Sequence, residues 1–245
     1  MSADDDPTTE TARRSGDDAP QDRLILRVAA LVGAASFPLA MIGSALSDPN
    51  SYAEVNPGSS DTQLLAMLSD SRTEQLWAAT LQALAAVAVW VFLGPLWQRL
   101  RRGSEWLALL AVVGGAVAGA AILFWAGHSL VAMVAADFED AEAARFLMVA
   151  GWETARVAVA PYLVLVGAAT LAGRRGGALP AGINAFGVVF VVLLALGFVP
   201  GSPAGLLGTV GSVWVTVVAL ALAFTHPSDG DAHEAQVPAA EEDAD

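Results

Sequence analysis

The chain has 245 residues, of which 15% are charged and 55% hydrophobic; the net charge is −13 and the mean hydropathy +0.55. A soluble domain carries about 25% charged and 45–50% apolar residues, so the balance points to the membrane class. The absence of cysteine excludes a disulfide framework, thiolate metal ligands and a cysteine nucleophile.

The acidity is concentrated at the ends. Residues 1–23 hold seven acids against three arginines, and residues 226–245 hold seven acids and no arginine. Both tails are poor in large apolar residues, which predicts disordered cytoplasmic segments. Their sign argues against nucleic acid or anionic lipid as a partner. They serve either to solubilise the ends or to meet a protein partner. All twelve basic residues are arginine, a bias expected of a GC-rich prokaryotic genome.

A helix crossing the hydrocarbon core needs about 20 mostly apolar residues. Six such segments follow in order, at about 28–47, 76–97, 106–128, 146–172, 183–200 and 206–225. The third stays apolar to about Ala136, longer than one crossing needs, so it is expected to tilt or to project outside. None fits a soluble amphipathic helix, because apolar residues cover every face. Ala45-Leu46-Ser47 offers a cleavage-like pattern after the first segment. The stretch is longer than a typical signal-peptide core and follows an acidic leader, so an uncleaved span is expected.

Arginine placement orients the chain. Arg13, Arg14, Arg23 and Arg27 precede the first span, Arg99, Arg101 and Arg102 follow the second, and Arg174 and Arg175 follow the fourth. The joints after spans one and three hold only Arg72 and Arg145 among nine acids. The positive-inside rule then places both termini in the cytoplasm of a multi-pass plasma-membrane protein. Trp97 and Trp106 bracket the inner face, and Trp77, Trp125 and Trp152 are expected near the outer one.

The expected fold is therefore all-α, an integral membrane bundle of six transmembrane helices, with a short amphipathic helix in the first extracytoplasmic loop. That helix is read in TQLLAMLSDSR, where Leu64, Leu65 and Leu68 share a face and Ser60 with Gln63 forms a capping box. It is expected to lie on the outer membrane surface. The short joint 201–205 makes the last two spans an antiparallel hairpin, and no internal repeat favours an inverted-repeat transporter. In layout, residues 62–102 (TQLLAMLSDSRTEQLWAATLQALAAVAVWVFLGPLWQRLRR) resemble a family of uncharacterised prokaryotic multi-pass membrane proteins. That resemblance implies topology and no activity.

Ionisable side chains inside a membrane cost about 2.5–3.5 kcal/mol each at the centre on insertion scales, so each needs a reason. Glu153 and Arg156 are three apart on the fourth segment, hence within ion-pair reach on one face. Pro161 follows; it removes a donor from the Val157 carbonyl and predicts a kink there. Counting inward places Glu153 in the outer leaflet, Arg156 nearer the middle, and His128 and Gln82 at an outer depth. These four are expected to meet as a polar cluster facing the bundle interior. Such a cluster offers a binding or proton-handling site, since a histidine near a carboxylate can titrate near neutral pH and an arginine grips anions. The competing reading is an internal ion pair that fixes packing, with His128 reaching to water.

Other motifs carry less. Gly127-His128-Ser129-Leu130 resembles the start of a nucleophile elbow, but Val131 stands where the closing glycine belongs. His226 and His233 lie in the acidic tail, and neither a metal motif nor a phosphate loop is present. Gly115 with Gly119, and Gly208 with Ser212, have the small-residue spacing of close helix packing. No cofactor, metal or catalytic set is expected. The expected partners are membrane lipid and proteins that meet the outer loop or tails. The expected role is structural, accessory or sensing; the alternatives are a small-solute or proton-coupled transporter and a membrane-embedded enzyme.

Overall fold

A computed structural model describes residues 23–46, 60–198 and 204–224, without the side chains of Trp152, Ala155 and residues 204–209. The tails 1–22 and 226–245 with His226 and His233, the loop 47–59 and the joint 199–203 lie outside the described residues. The described chain is α-helical throughout, without a strand. Its helices are α1 (Arg23–Leu46), α2 (Asp61–Asp70), α3 (Arg72–Leu100), α4 (Glu105–Asp137), α5 (Ala141–Val157), α6 (Val159–Gly176), α7 (Ala181–Leu196) and α8 (Ala204–Phe224).

Three of these, α1, α3 and α4, are long and apolar enough to cross a membrane, with 24, 29 and 33 residues. At 1.5 Å per residue they reach about 36, 44 and 50 Å, against a core of about 30 Å. Helix length and hydropathy thus single out three crossings where six were expected. The expected fourth segment is divided between α5 and α6 by a turn at Ala158. Pro161 supplies the reason, since it cannot donate to the Val157 carbonyl and its ring crowds that carbonyl. The fifth, α7, has only 16 residues.

The first segment is also broken, which the sequence reading did not foresee. A turn interrupts α1 at Ala35, and Ala35 N–H bonds back to the Val32 carbonyl at 3.0 Å. Pro38 is four residues past Ala34 and leaves the Ala34 carbonyl without a helical donor. The hydroxyl of Thr216, on α8, donates to that carbonyl at 3.1 Å and accepts from Phe37 N–H at 3.3 Å. One side chain from a neighbouring helix therefore repairs the break.

The long helices close into a ring in the order α1, α3, α4, α6, α7, α8, with α8 returning to α1. Its core is filled by Phe92, Leu96, Tyr162, Leu165, Trp214 and Val215, all fully buried. Glycine notches set the closest approaches. A Cβ on Gly115 would collide with Leu93, and one on Gly119 with the Trp90 indole, so both glycines admit α3 side chains against α4. Ser212 is buried and hydrogen-bonds the Tyr162 hydroxyl at 3.1 Å, while Gly208 lies one turn before it on α8.

The two ends of the ring differ electrically. Gly103 after α3 and Gly176 at the end of α6 come so close that a Cβ on either would meet the other's backbone. Arg99 Nε donates to the Ala178 carbonyl at 2.8 Å, tying the same two joints. α1 runs antiparallel to α3, with Gly33 beside Phe92 and Gly43 beside Ala78, so Arg27 lies at this end too, over the Phe224 ring at 5.8 Å. Arg101, Arg102, Arg174 and Arg175 are exposed here, without an acidic partner among the described residues.

At the other end both arginines are neutralised. Arg72 pairs with Asp137, and Arg145 Nη2 lies 2.8 Å from Asp61 Oδ1. These bridges flank a small second core in which Leu64 and Leu68 of α2 meet Ala132 and Met133 of α4 and Ala144 and Met148 of α5. The capping box of Ser60 and Gln63 opens α2. The expectation for α2 was a place on a membrane surface; the structure packs it against α4 and α5. Its apolar face is spent on protein, with Leu64 1% and Leu68 3% exposed.

Candidate functional site

Four residues were expected to gather in the bundle interior, and the structure distributes them. Glu153 and Arg156 do pair, at 3.2 Å from Arg156 Nη1 to Glu153 Oε1. Their side chains are 58% and 62% exposed, so the pair sits on the surface instead of inside the ring. The local reason lies two residues back, at Gly151. A Cβ there would stand 3.2 Å from Trp125 and 3.3 Å from His128 Cβ, so the Gly151 face of α5 is the one turned to α4. Glu153, two positions on, turns about 200° away.

Gln82 is buried, but its partners are on α1. Its amide donates to the Ala40 carbonyl at 3.0 Å and to Ser44 Oγ at 3.1 Å, with Gly43 giving the room. In an apolar surround an unmet amide costs several kcal/mol, so these bonds lock α1 onto α3. His128 Nδ1 lies 2.6 Å from the Phe124 carbonyl one turn earlier on its own helix. Neither Gln82 nor His128 bonds to the Glu153–Arg156 pair, and the expected four-residue cluster is replaced by three separate arrangements.

The sequence reading missed other polar contacts. Thr216, whose hydroxyl caps the α1 break, was signalled only indirectly by Pro38. Asn184 Nδ2 donates to the Leu179 carbonyl at 3.0 Å. A Cβ on Gly187 would strike Thr170, and one on Gly173 would crowd Asn184, so α6 and α7 exchange a polar residue for a glycine twice. The Thr170 hydroxyl, the Asn184 carbonyl oxygen and the Trp214 indole nitrogen are buried without a hydrogen-bond partner.

A groove of about 570 Å³ opens between α3, α4 and α5, lined by Trp90, Leu123, Phe124, Gly127, His128 and Leu147 among others. It is almost wholly apolar. Trp90 Nε1 is already committed to the Ala116 carbonyl at 3.1 Å, which leaves His128 as the ionisable group on its wall. Among the described residues no group of three or more histidine or acidic side chains is arranged to hold a metal ion. No protein-family model, curated protein or solved structure matches the chain.

Proposed function

We propose that the chain is a six-span integral membrane protein of the plasma membrane with both termini in the cytoplasm, and that its role is structural, accessory or sensing. The topology is supported by Arg101, Arg102, Arg174 and Arg175 of two joints gathering with Arg27 at one end without an acidic partner among the described residues, while Arg72 and Arg145 at the other end are each held by an aspartate. α5 with α6 would form the fourth crossing despite the turn at Ala158, and α7 and α8 the last two.

The observation that carries the non-transport reading is where the polar side chains are spent. Gln82, Thr216 and the Tyr162–Ser212 pair each join two helices, and Glu153 and Arg156 answer each other on the outside. A conducting path needs a series of polar groups along the interior, and these contacts act as single locks at separate places. The test is flux in reconstituted liposomes together with topology. The native chain lacks cysteine, so Ala66→Cys and Ala181→Cys report alone. The expected result is labelling of these two positions from opposite sides, with no proton or solute flux above protein-free liposomes. Flux that disappears in Glu153→Gln and Arg156→Gln would instead establish the transporter reading.

A further inference from the structure

We infer that the groove between α3, α4 and α5 binds a membrane amphiphile whose head carries a hydroxyl, with the head at His128 and the apolar tail directed inward toward Ala120 and Trp90. The inference rests on the membrane reading above. At about 570 Å³ the groove falls within the range of about 300–1,000 Å³ typical of small-molecule sites.

Gly127 supplies the first argument. On the same helix, Gly114, Gly115 and Gly119 each make room for a protein neighbour, and a Cβ at any of them would collide. A Cβ on Gly127 would have no protein atom within 4 Å. Glycine inside a helix costs about 1 kcal/mol relative to alanine. Close helix packing explains that cost at the first three positions and not at Gly127, which lines the groove. The missing side chain keeps the groove open at this point.

His128 supplies the chemistry. A carbonyl oxygen only accepts, so the 2.6 Å contact with Phe124 puts the proton on Nδ1. In the neutral ring Nε2 is then an acceptor, and it has no partner among the described residues. An acceptor on an apolar wall selects a ligand that donates. Hydroxyls donate and carry no charge to desolvate against the apolar wall, unlike an ammonium head; phosphate diesters, carboxylates and simple esters do not donate.

Depth agrees with this orientation. Measured from Trp106, a hydrocarbon core of about 30 Å ends near Ala126, so His128 stands at the outer boundary. Ala120 is two turns deeper, about 12 Å, on the same wall. A polar head at His128 with a tail toward Ala120 is how an amphiphile of that leaflet already lies.

The test uses the full chain in lipid nanodiscs and two photoreactive probes, a long-chain alcohol with a diazirine in its chain and the matching methyl ether. The wild type is expected to be labelled within 120–131, and roughly threefold to tenfold better by the alcohol, the worth of one hydrogen bond. His128→Phe keeps the ring and removes the acceptor; it is expected to abolish the preference while ether labelling persists. Gly127→Leu fills the groove and is expected to block both probes. Equal labelling of the wild type by the two probes overturns the inference, as does undiminished labelling of a Gly127→Leu protein of native helicity. If that variant does not fold, the alcohol preference and its fate in His128→Phe decide alone. Labelling of Ala66→Cys and Ala181→Cys from the same side would overturn the six-span topology; labelling from opposite sides without an alcohol preference overturns only the ligand.

Discussion

The Thr216 hydroxyl occupies the place of the amide hydrogen that Pro38 lacks, donating to the Ala34 carbonyl across two helices. The break at Ala35 and the closure of the ring by α8 are therefore one event, because the orphaned carbonyl is also the point where α8 is held. Thr216→Val keeps the shape and removes the donor. It should lower stability in detergent by about 0.5–2 kcal/mol, in line with hydrogen bonds between membrane helices. In a Pro38→Ala background the backbone donor returns, and the same substitution should cost clearly less. Equal costs in both backgrounds would mean that the hydroxyl does not serve that carbonyl.

Three glycines of α4 should respond to alanine in a fixed order. Gly127→Ala meets no protein atom and restores helix propensity, so stability should rise by up to about 1 kcal/mol. Gly115→Ala meets the mobile end of Leu93 and should be mildly destabilising. Gly119→Ala meets the Trp90 indole, which is fixed by its bond to the Ala116 carbonyl, and should be the most damaging. Thermal unfolding of the three variants tests the ranking.

Truncation in the small core distinguishes a docked α2 from one lying on lipid. Leu64→Ala and Leu68→Ala remove side chains buried against α4 and α5, at a cost of about 2–4 kcal/mol locally. Membrane insertion should be unchanged, while protease cleavage between residues 60 and 75 should rise severalfold. Cleavage at the wild-type rate in both variants would contradict the docking.

The Glu153–Arg156 pair should matter little to stability. Both side chains are more than half exposed, and an exposed pair at this spacing contributes a few tenths of a kcal/mol. Glu153→Gln and Arg156→Gln should each shift unfolding by less than about 0.5 kcal/mol. A loss several times larger from either one would place the pair in a buried setting.

Much of this architecture is readable in the residues, for identifiable reasons. Hydropathy carries the positions of the long helices because apolar length is a one-dimensional property. The capping box at Ser60 and Gln63 is equally local, and both atoms of it are found bonded. Pro161 and the turn at Ala158 belong to the same class. What spacing does not contain is which neighbour a helix face meets. Gln82 and His128 were expected at similar depth, yet α1 takes the first and Phe124 of its own helix takes the second. Glu153 turns outward because Gly151, two positions away, is the contact with α4. Pro38 was as visible as Pro161, but its consequence depends on Thr216, 178 positions later in the chain.

The two salt bridges at the α2 end of the bundle carry an implication for how the molecule is assembled. Asp61 precedes α3 and its partner Arg145 follows α4; Arg72 opens α3 and its partner Asp137 ends α4. The Arg72–Asp137 bridge needs both helices in place, and the Asp61–Arg145 bridge and the full covering of Leu64 and Leu68 need α5 turned back as well. The small core is thus a latch that engages only on a completed pair of long helices. A nascent chain ending before Ala141 lacks Ala144 and Met148, and so leaves the α5 side of Leu64 and Leu68 uncovered.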